Sequence, residues 1–240
     1  VAAKAAFEVT NRKQRTDIPI VFIHADSPVE NGIIQSYRYS GNHLTGIAVD
    51  ISEITEKKLE FLLTINPEIK RIGILDAEHI SDATVRVKDA LMSGIEKFNM
   101  TIVKYPVKSK AGPAAVEEVK KVTNAIKKGD IDAFFQMPGP VSGLTEGILI
   151  EMTKRLKLPS VWLVATQVEQ GGLFSYARDL RAMGEQSASI VDQVLRGIQP
   201  QEIPISFAEK SQLVLNLKTA KEIGITFPTS MFDIAEHRIE

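Results

Sequence analysis

Three loops carry the residues whose chemistry reaches beyond folding. In the first, His24 to Asn31 (HADSPVEN), Asp26 offers a carboxylate suited to an ammonium group, and Ser27 a hydroxyl that donates to a carboxylate. The same two residues serve equally well in a turn that caps a following helix, and the sequence leaves both readings open. In the second, Asp76 to Asp82 (DAEHISD), Ser81 and the backbone N–H groups of Asp82 and Ala83 make an anion pocket at a helix start; a capped, solvated loop is the alternative. In the third, Met137 to Gly143 (MPGPVSG), Pro138, Gly139 and Ser142 let the backbone approach a bound molecule closely. Tyr176, in GGLFSYARD, presents a ring that either stacks on a flat molecule or packs as a half-buried hinge aromatic, and Asp179 stands three residues beyond it.

These side chains suit binding better than catalysis. There is no G-x-S-x-G elbow, H-E-x-x-H pair, Walker loop or G-x-G-x-x-G fingerprint. The histidines, at 24, 43, 79 and 237, stand apart from one another and from any nucleophile. Asp76, Glu78, His79 and Asp82 are close in sequence but match no recognised metal-ligand spacing. With no cysteine, disulfides, thiolate metal sites and cysteine nucleophiles are excluded as well. The expectation is a chain without catalytic residues, metal or cofactor.

Charge and hydropathy narrow the partners. The 29 basic and 30 acidic residues leave a formal charge of -1, so no overall field draws the chain to nucleic acid. No apolar run approaches the roughly 20 residues that span a bilayer. The residues from Val1 do not have the basic-then-apolar pattern of a leader; Val1 to Phe7 reads as a helix already under way, which places the expected natural start upstream.

The loops need a scaffold, and apolar runs of strand length alternate with amphipathic helical segments as a helix-covered parallel sheet requires. Ile18 to His24 is a near-continuous apolar run, expected of a strand buried on both faces. Further strands are expected at Ile72 to Leu75, Met100 to Tyr105, Asp132 to Gln136, Ser160 to Val164, Leu173 to Tyr176 and Leu213 to Leu215. Helices are expected at Glu53 to Thr64, from Ser81 or Asp82 to Phe98, from Gly112-Pro113, up to Leu156, from Leu180 to Leu195, and near Thr219 to Ile223. All three loops then fall at carboxyl ends of strands, where α/β sheets collect ligands. Trp162 and Phe135 sit inside strands and read as core, while Tyr37, Asn42 and His43 read as hinge or rim residues.

Several stretches together resemble ABC-transporter substrate-binding proteins of the tryptophan and tyrosine type. They are IPIVF with DSPV, GNHLTGIAVD, NPEIKRIGIL, GGLFSYARDLRAMG and the tail LVLNLKTAKEIGITFP, and they cover Ile18 to Pro228 in the family's order. The tail, Asn216 to Ala220 running on to Gly224 and Pro228, is the most specific of them. The resemblance implies a type I periplasmic-binding-protein fold: two Rossmann-like lobes of parallel sheet flanked by helices, closing on a small amino-acid-like or other polar organic ligand.

It further implies lobe 1 from residues 1–50 plus about 174–200, lobe 2 from 51–173, and a C-terminal segment 201–240 of open assignment. Expected partners are the ligand and ABC permease subunits in the membrane. The expected location is periplasmic or extracytoplasmic, with export and lipid anchoring. Family members carry β-α units ahead of the position matching Ile18, so lobe 1 is expected to be short and prone to self-association, which light scattering checks. A departure lies in the third loop, where Met137-Pro138-Gly139 replaces the polar residues the family often has. A ligand-sensing domain of a signalling protein, an enzyme on the same layers and the effector domain of a transcription regulator are the competing readings.

Overall fold

The computed structural model describes residues 2–78, 82–109, 112–139 and 143–240. In chain order the elements are α1 (Ala2–Arg12), β1 (Ile20–Asp26), β2 (Leu44–Val49), α2 (Ile51–Ile65), β3 (Arg71–Ala77), α3 (Asp82–Lys97) and β4 (Thr101–Val107). Next come α4 (Gly112–Ala125), β5 (Ala133–Phe135), α5 (Glu146–Leu156), β6 (Ser160–Trp162), α6 (Ala165–Glu169), β7 (Phe174–Arg178) and α7 (Leu180–Leu195). A 3-10 turn, Pro200–Glu202, precedes β8 (Ser206–Phe207), β9 (Ser211–Asn216), α8 (Leu217–Ile223), α9 (Thr229–Ile234) and β10 (His237–Ile239).

The chain folds into two compact units, each built from two stretches: Val1–Asp50 with Arg178–Ser211, and Ile51–Ala177 with Gln212–Glu240. The first holds a sheet in the order β1-β2-β8; the second holds seven strands in the order β10-β9-β7-β6-β5-β3-β4. Every pairing with an assigned register is parallel. This is the α/β class expected from the alternating pattern.

In the larger unit, neighbouring residues of one strand serve opposite layers, as the two-residue period dictates. Phe135 joins Ile72, Ile74 and Val161 in a core with Leu59 and Leu62 of α2, Leu91 of α3, and Ala220 and Ile223 of α8. Phe134 joins Trp162, Leu75 and Val214 in the opposite core, with Val119 of α4 and Leu149 of α5. Each fully buried ring or branched chain contributes about 1.5–3 kcal/mol. The strands therefore read as continuous apolar runs because both faces are covered.

The tail signature is largely structural. The Asn216 side chain accepts from the Thr219 N–H at 2.8 Å, capping α8, and donates to the Val168 carbonyl at 2.7 Å. Thr219 donates to the Gly171 carbonyl at 3.0 Å, and Gly224, at φ 79°, ends the helix in the left-handed conformation. In the smaller unit, Gly46 has φ 150°, and a Cβ there would sit 1.9 Å from the Phe22 carbonyl oxygen. Only glycine lets β1 and β2 approach so closely.

Some elements differ from the sequence expectation. No helix follows the His24–Asn31 loop; the chain runs through turns to β2. The proline-marked tail also contains α9 and β10, the latter pairing with β9 at the sheet edge. Both are too short for a periodic signal, and Met231 anchors α9 in the core.

Candidate functional site

In the larger unit, β3 and β5 are hydrogen-bonded neighbours although a strand and two helices separate them in sequence. Their carboxyl ends bring Asp76 and Ala77 beside Gln136, Met137, Pro138 and Gly139, around a shallow hollow enclosing about 20 Å³. Leu75, Met137 and Leu149 form its apolar wall. At its rim the Lys88 ammonium donates to Asp76 Oδ1 at 2.8 Å, with both side chains about one quarter exposed. The two charges answer each other, so the described lining residues carry no net charge.

Gln136 continues the alternation of β5. Its backbone N–H donates to the Val161 carbonyl at 3.0 Å, and its side chain falls on the Phe134 side, where the hollow opens. The side chain is 3% exposed, and its carboxamide makes no hydrogen bond with a described residue. Its only signal in the sequence is one polar residue closing the apolar strand DAFFQ, a pattern that ordinary strand ends share.

The candidate residues distribute as follows. Pro138 and Gly139 border the hollow, and a Cβ added at Gly139 would meet no atom within 4 Å. Asp82 is the first residue of α3, the helix from which Thr84 and Lys88 line the hollow; Ser81 and Ser142 lie outside the described residues. Tyr176, half-buried in the middle of β7, meets Phe61 edge-on, with ring centroids 5.3 Å apart at 72°. No group of three metal-ligating side chains occurs among the described residues, and Asp76 is committed to Lys88.

Asp26 and Ser27 lie in the smaller unit, at the carboxyl end of β1. The β1–β2 register shifts between Phe22 and Ala25, where His24 takes φ 63°, and Ser27 follows at φ 43°. Asn31, which sequence reasoning passed over, locks this turn: its amide donates to the Asp26 carbonyl at 2.8 Å and the Ser27 carbonyl at 2.9 Å. Asn42 fixes the next segment, donating to the Ile33 carbonyl and accepting from the Leu44 N–H. His43 bonds Thr10 of α1 at 2.7 Å, and burial holds its pKa below the usual histidine value.

Asp179 caps α7: its Oδ1 accepts from the N–H groups of Arg181 at 2.9 Å and Ala182 at 3.0 Å. Asp179→Ala is expected to cost about 1 kcal/mol in urea unfolding, and Asp179→Asn much less, since asparagine caps as well. Equal losses in the two variants would mean that the cap does not govern stability here.

The sequence model of the ABC transporter substrate-binding protein family matches residues 1–239. The chain belongs to this family. A tyrosine-binding protein of Clostridioides difficile is 23% identical over 224 residues, covering 93% of this chain and 61% of the relative, so the chain spans about three fifths of that protein's length. Among solved structures, an ABC domain from Streptococcus pneumonia in complex with L-Trp superposes with a TM-score of 0.74 at 22% identity, covering 93% of this chain and 74% of that one. The ligand-free, open form of a Clostridium difficile substrate binding protein with adhesive properties gives 0.76 at 21% identity, covering 99% and 75%. The fold of this substrate-binding protein is accordingly that of type I periplasmic binding proteins. The family binds solutes and is not an enzyme family, and its members work outside the cytoplasm. No described helix is long and apolar enough to cross a membrane.

Proposed function

We propose that the chain is the ligand-binding part of an ABC importer for a small amino-acid-like molecule, held between its two lobes and released to permease subunits in the membrane. The observation that carries this reading is the family match over residues 1–239, joined to strand-end loops of binding chemistry in each unit. The relatives named for tyrosine and bound to L-Trp favour an amino acid as ligand.

The hollow beside Gln136 has room for about one water-sized group, so it seats one end of such a ligand and leaves the rest to other loops. Asp26 and Ser27 on the smaller unit, and Ser81, Asp82, Pro138, Gly139, Tyr176 and Asp179, are the proposed contacts. Closure on the ligand stabilises one shape, which the permease recognises. Export with lipid anchoring belongs to the same proposal. So does self-association through the edge strand β1, where Ile23 is 51% exposed; a monomer at all concentrations in light scattering contradicts that part.

A thermal-shift screen of the twenty amino acids, followed by calorimetry on each hit, tests the reading. A ligand of the native state alone raises Tm by mass action, by about 2.7 kcal/mol of stability at a hundred times Kd. The expected result is a saturable shift for a narrow set of amino acids. No shift for any of the twenty overturns the proposal, and turnover of one of them would replace it with an enzyme.

A further inference from the structure

We infer that Gln136 touches the ligand and selects for an uncharged hydrogen-bonding tip on an otherwise apolar side chain. This rests on the amino-acid reading above. A buried carboxamide normally finds partners for its oxygen and its nitrogen, because leaving them unmatched penalises the fold. The chain treats its other deeply buried glutamine in that way. Gln167, 2% exposed, accepts from the Leu163 N–H at 2.9 Å through Oε1 and donates to Glu146 Oε1 at 2.6 Å through Nε2. Gln136 is as deeply buried, borders the hollow and makes no side-chain hydrogen bond with a described residue. Its hydrogen-bonding capacity is kept for what enters.

The hollow sets the character of the guest. About 20 Å³ admits one hydroxyl or ring N–H. The apolar wall of Leu75, Met137 and Leu149 suits an apolar body behind that atom. Because Asp76 and Lys88 already neutralise each other, a charged tip finds no spare counter-ion among the described lining residues. A hydroxyl can donate to Oε1 and accept from Nε2; a ring N–H can donate to Oε1. Aliphatic and charged amino acids are the excluded classes.

Calorimetry on the full chain with two pairs of probes tests this: L-tyrosine against L-phenylalanine, and L-tryptophan against 3-benzothienyl-L-alanine, in which sulfur replaces the indole N–H. In at least one pair the hydrogen-bonding member is expected to bind about 100-fold tighter or more. Gln136→Met is expected to bring that ratio within about threefold by weakening the hydrogen-bonding member and sparing the other. If Gln136→Met does not fold, Gln136→Asn serves, with an intermediate ratio expected from its shorter amide. Equal affinities within both pairs, or a ratio the variants leave unchanged, overturns the inference. Binding confined to other amino acids overturns it too, while the importer reading stands. Absence of binding by all twenty amino acids removes both.

Discussion

Replacing Lys58 with methionine is expected to stabilise the larger unit by up to about 3 kcal/mol at pH 7. Lys58 lies on the core side of α2, 6% exposed, with its ammonium 5.7 Å from the centre of the Phe135 ring. Among the described residues no carboxylate pairs with it. Burial lowers its pKa from 10.5 to about 8, and every tenfold loss of proton affinity corresponds to about 1.4 kcal/mol. A contact with an aromatic face returns only part of that.

The pH dependence has a definite sign. Below pH 8 both folded and unfolded chains hold the proton, and the folded one bears the whole burial penalty. Between about pH 8 and 10.5 the folded form sheds its proton while the unfolded form still binds one, so stability rises with pH. Urea midpoints of wild type and Lys58→Met should therefore differ most at neutral pH and converge near pH 10.5. Identical midpoints at pH 7 would mean that the ammonium reaches water along its own stem.

Trp162→Ala is expected to cost about 3–5 kcal/mol, the range for deleting a large ring from a filled core. Trp162 is fully buried, its ring lies 6.3 Å from that of Phe134, and its Nε1 donates to Ser160 Oγ at 3.0 Å. The space around it is used closely: a Cβ added at Gly172 would come within 2.6 Å of the indole. Alanine would leave both a cavity and a buried hydroxyl without its donor. Since Trp162 is the single tryptophan, unfolding of the variant is followed by circular dichroism. A loss below 1 kcal/mol would mean that the surrounding layers collapse to fill the space.

The strand positions were legible because both faces of the large sheet are covered, which turns each strand into an apolar run such as AFF or SVW. Helix α7 was legible from about Leu180 to Leu195 through apolar residues recurring at helical spacing, whereas Asp179, read as a ligand contact, gave no sign of capping it. Trp162 and Phe135 read as core, and both are buried there. What stayed hidden depends on neighbours distant in sequence. Nothing in the residues says that β5 pairs with β3 while β4 takes the edge, yet that order places Gln136 beside Asp76. Asn31 was hidden differently: one asparagine in a polar loop gives no sign that it closes the turn below Asp26. Tyr37, read as hinge or rim, packs on Phe207 with ring centroids 4.9 Å apart, a contact between residues far separated in sequence.

The two-stretch construction of each unit also governs how the protein is made. Residues after Gln212 supply Leu213, Leu215, Ala220, Ile223 and Met231 to the same core as Leu59 and Ile72. A ribosome that has just finished β7 has produced most of the larger unit but not the strands and helices that complete its sheet and close this core. The smaller unit has all its residues only once Ser211 has emerged, and the larger one waits for the stretch from Gln212 onward, so the nascent larger unit stays open and accessible to chaperones over that interval.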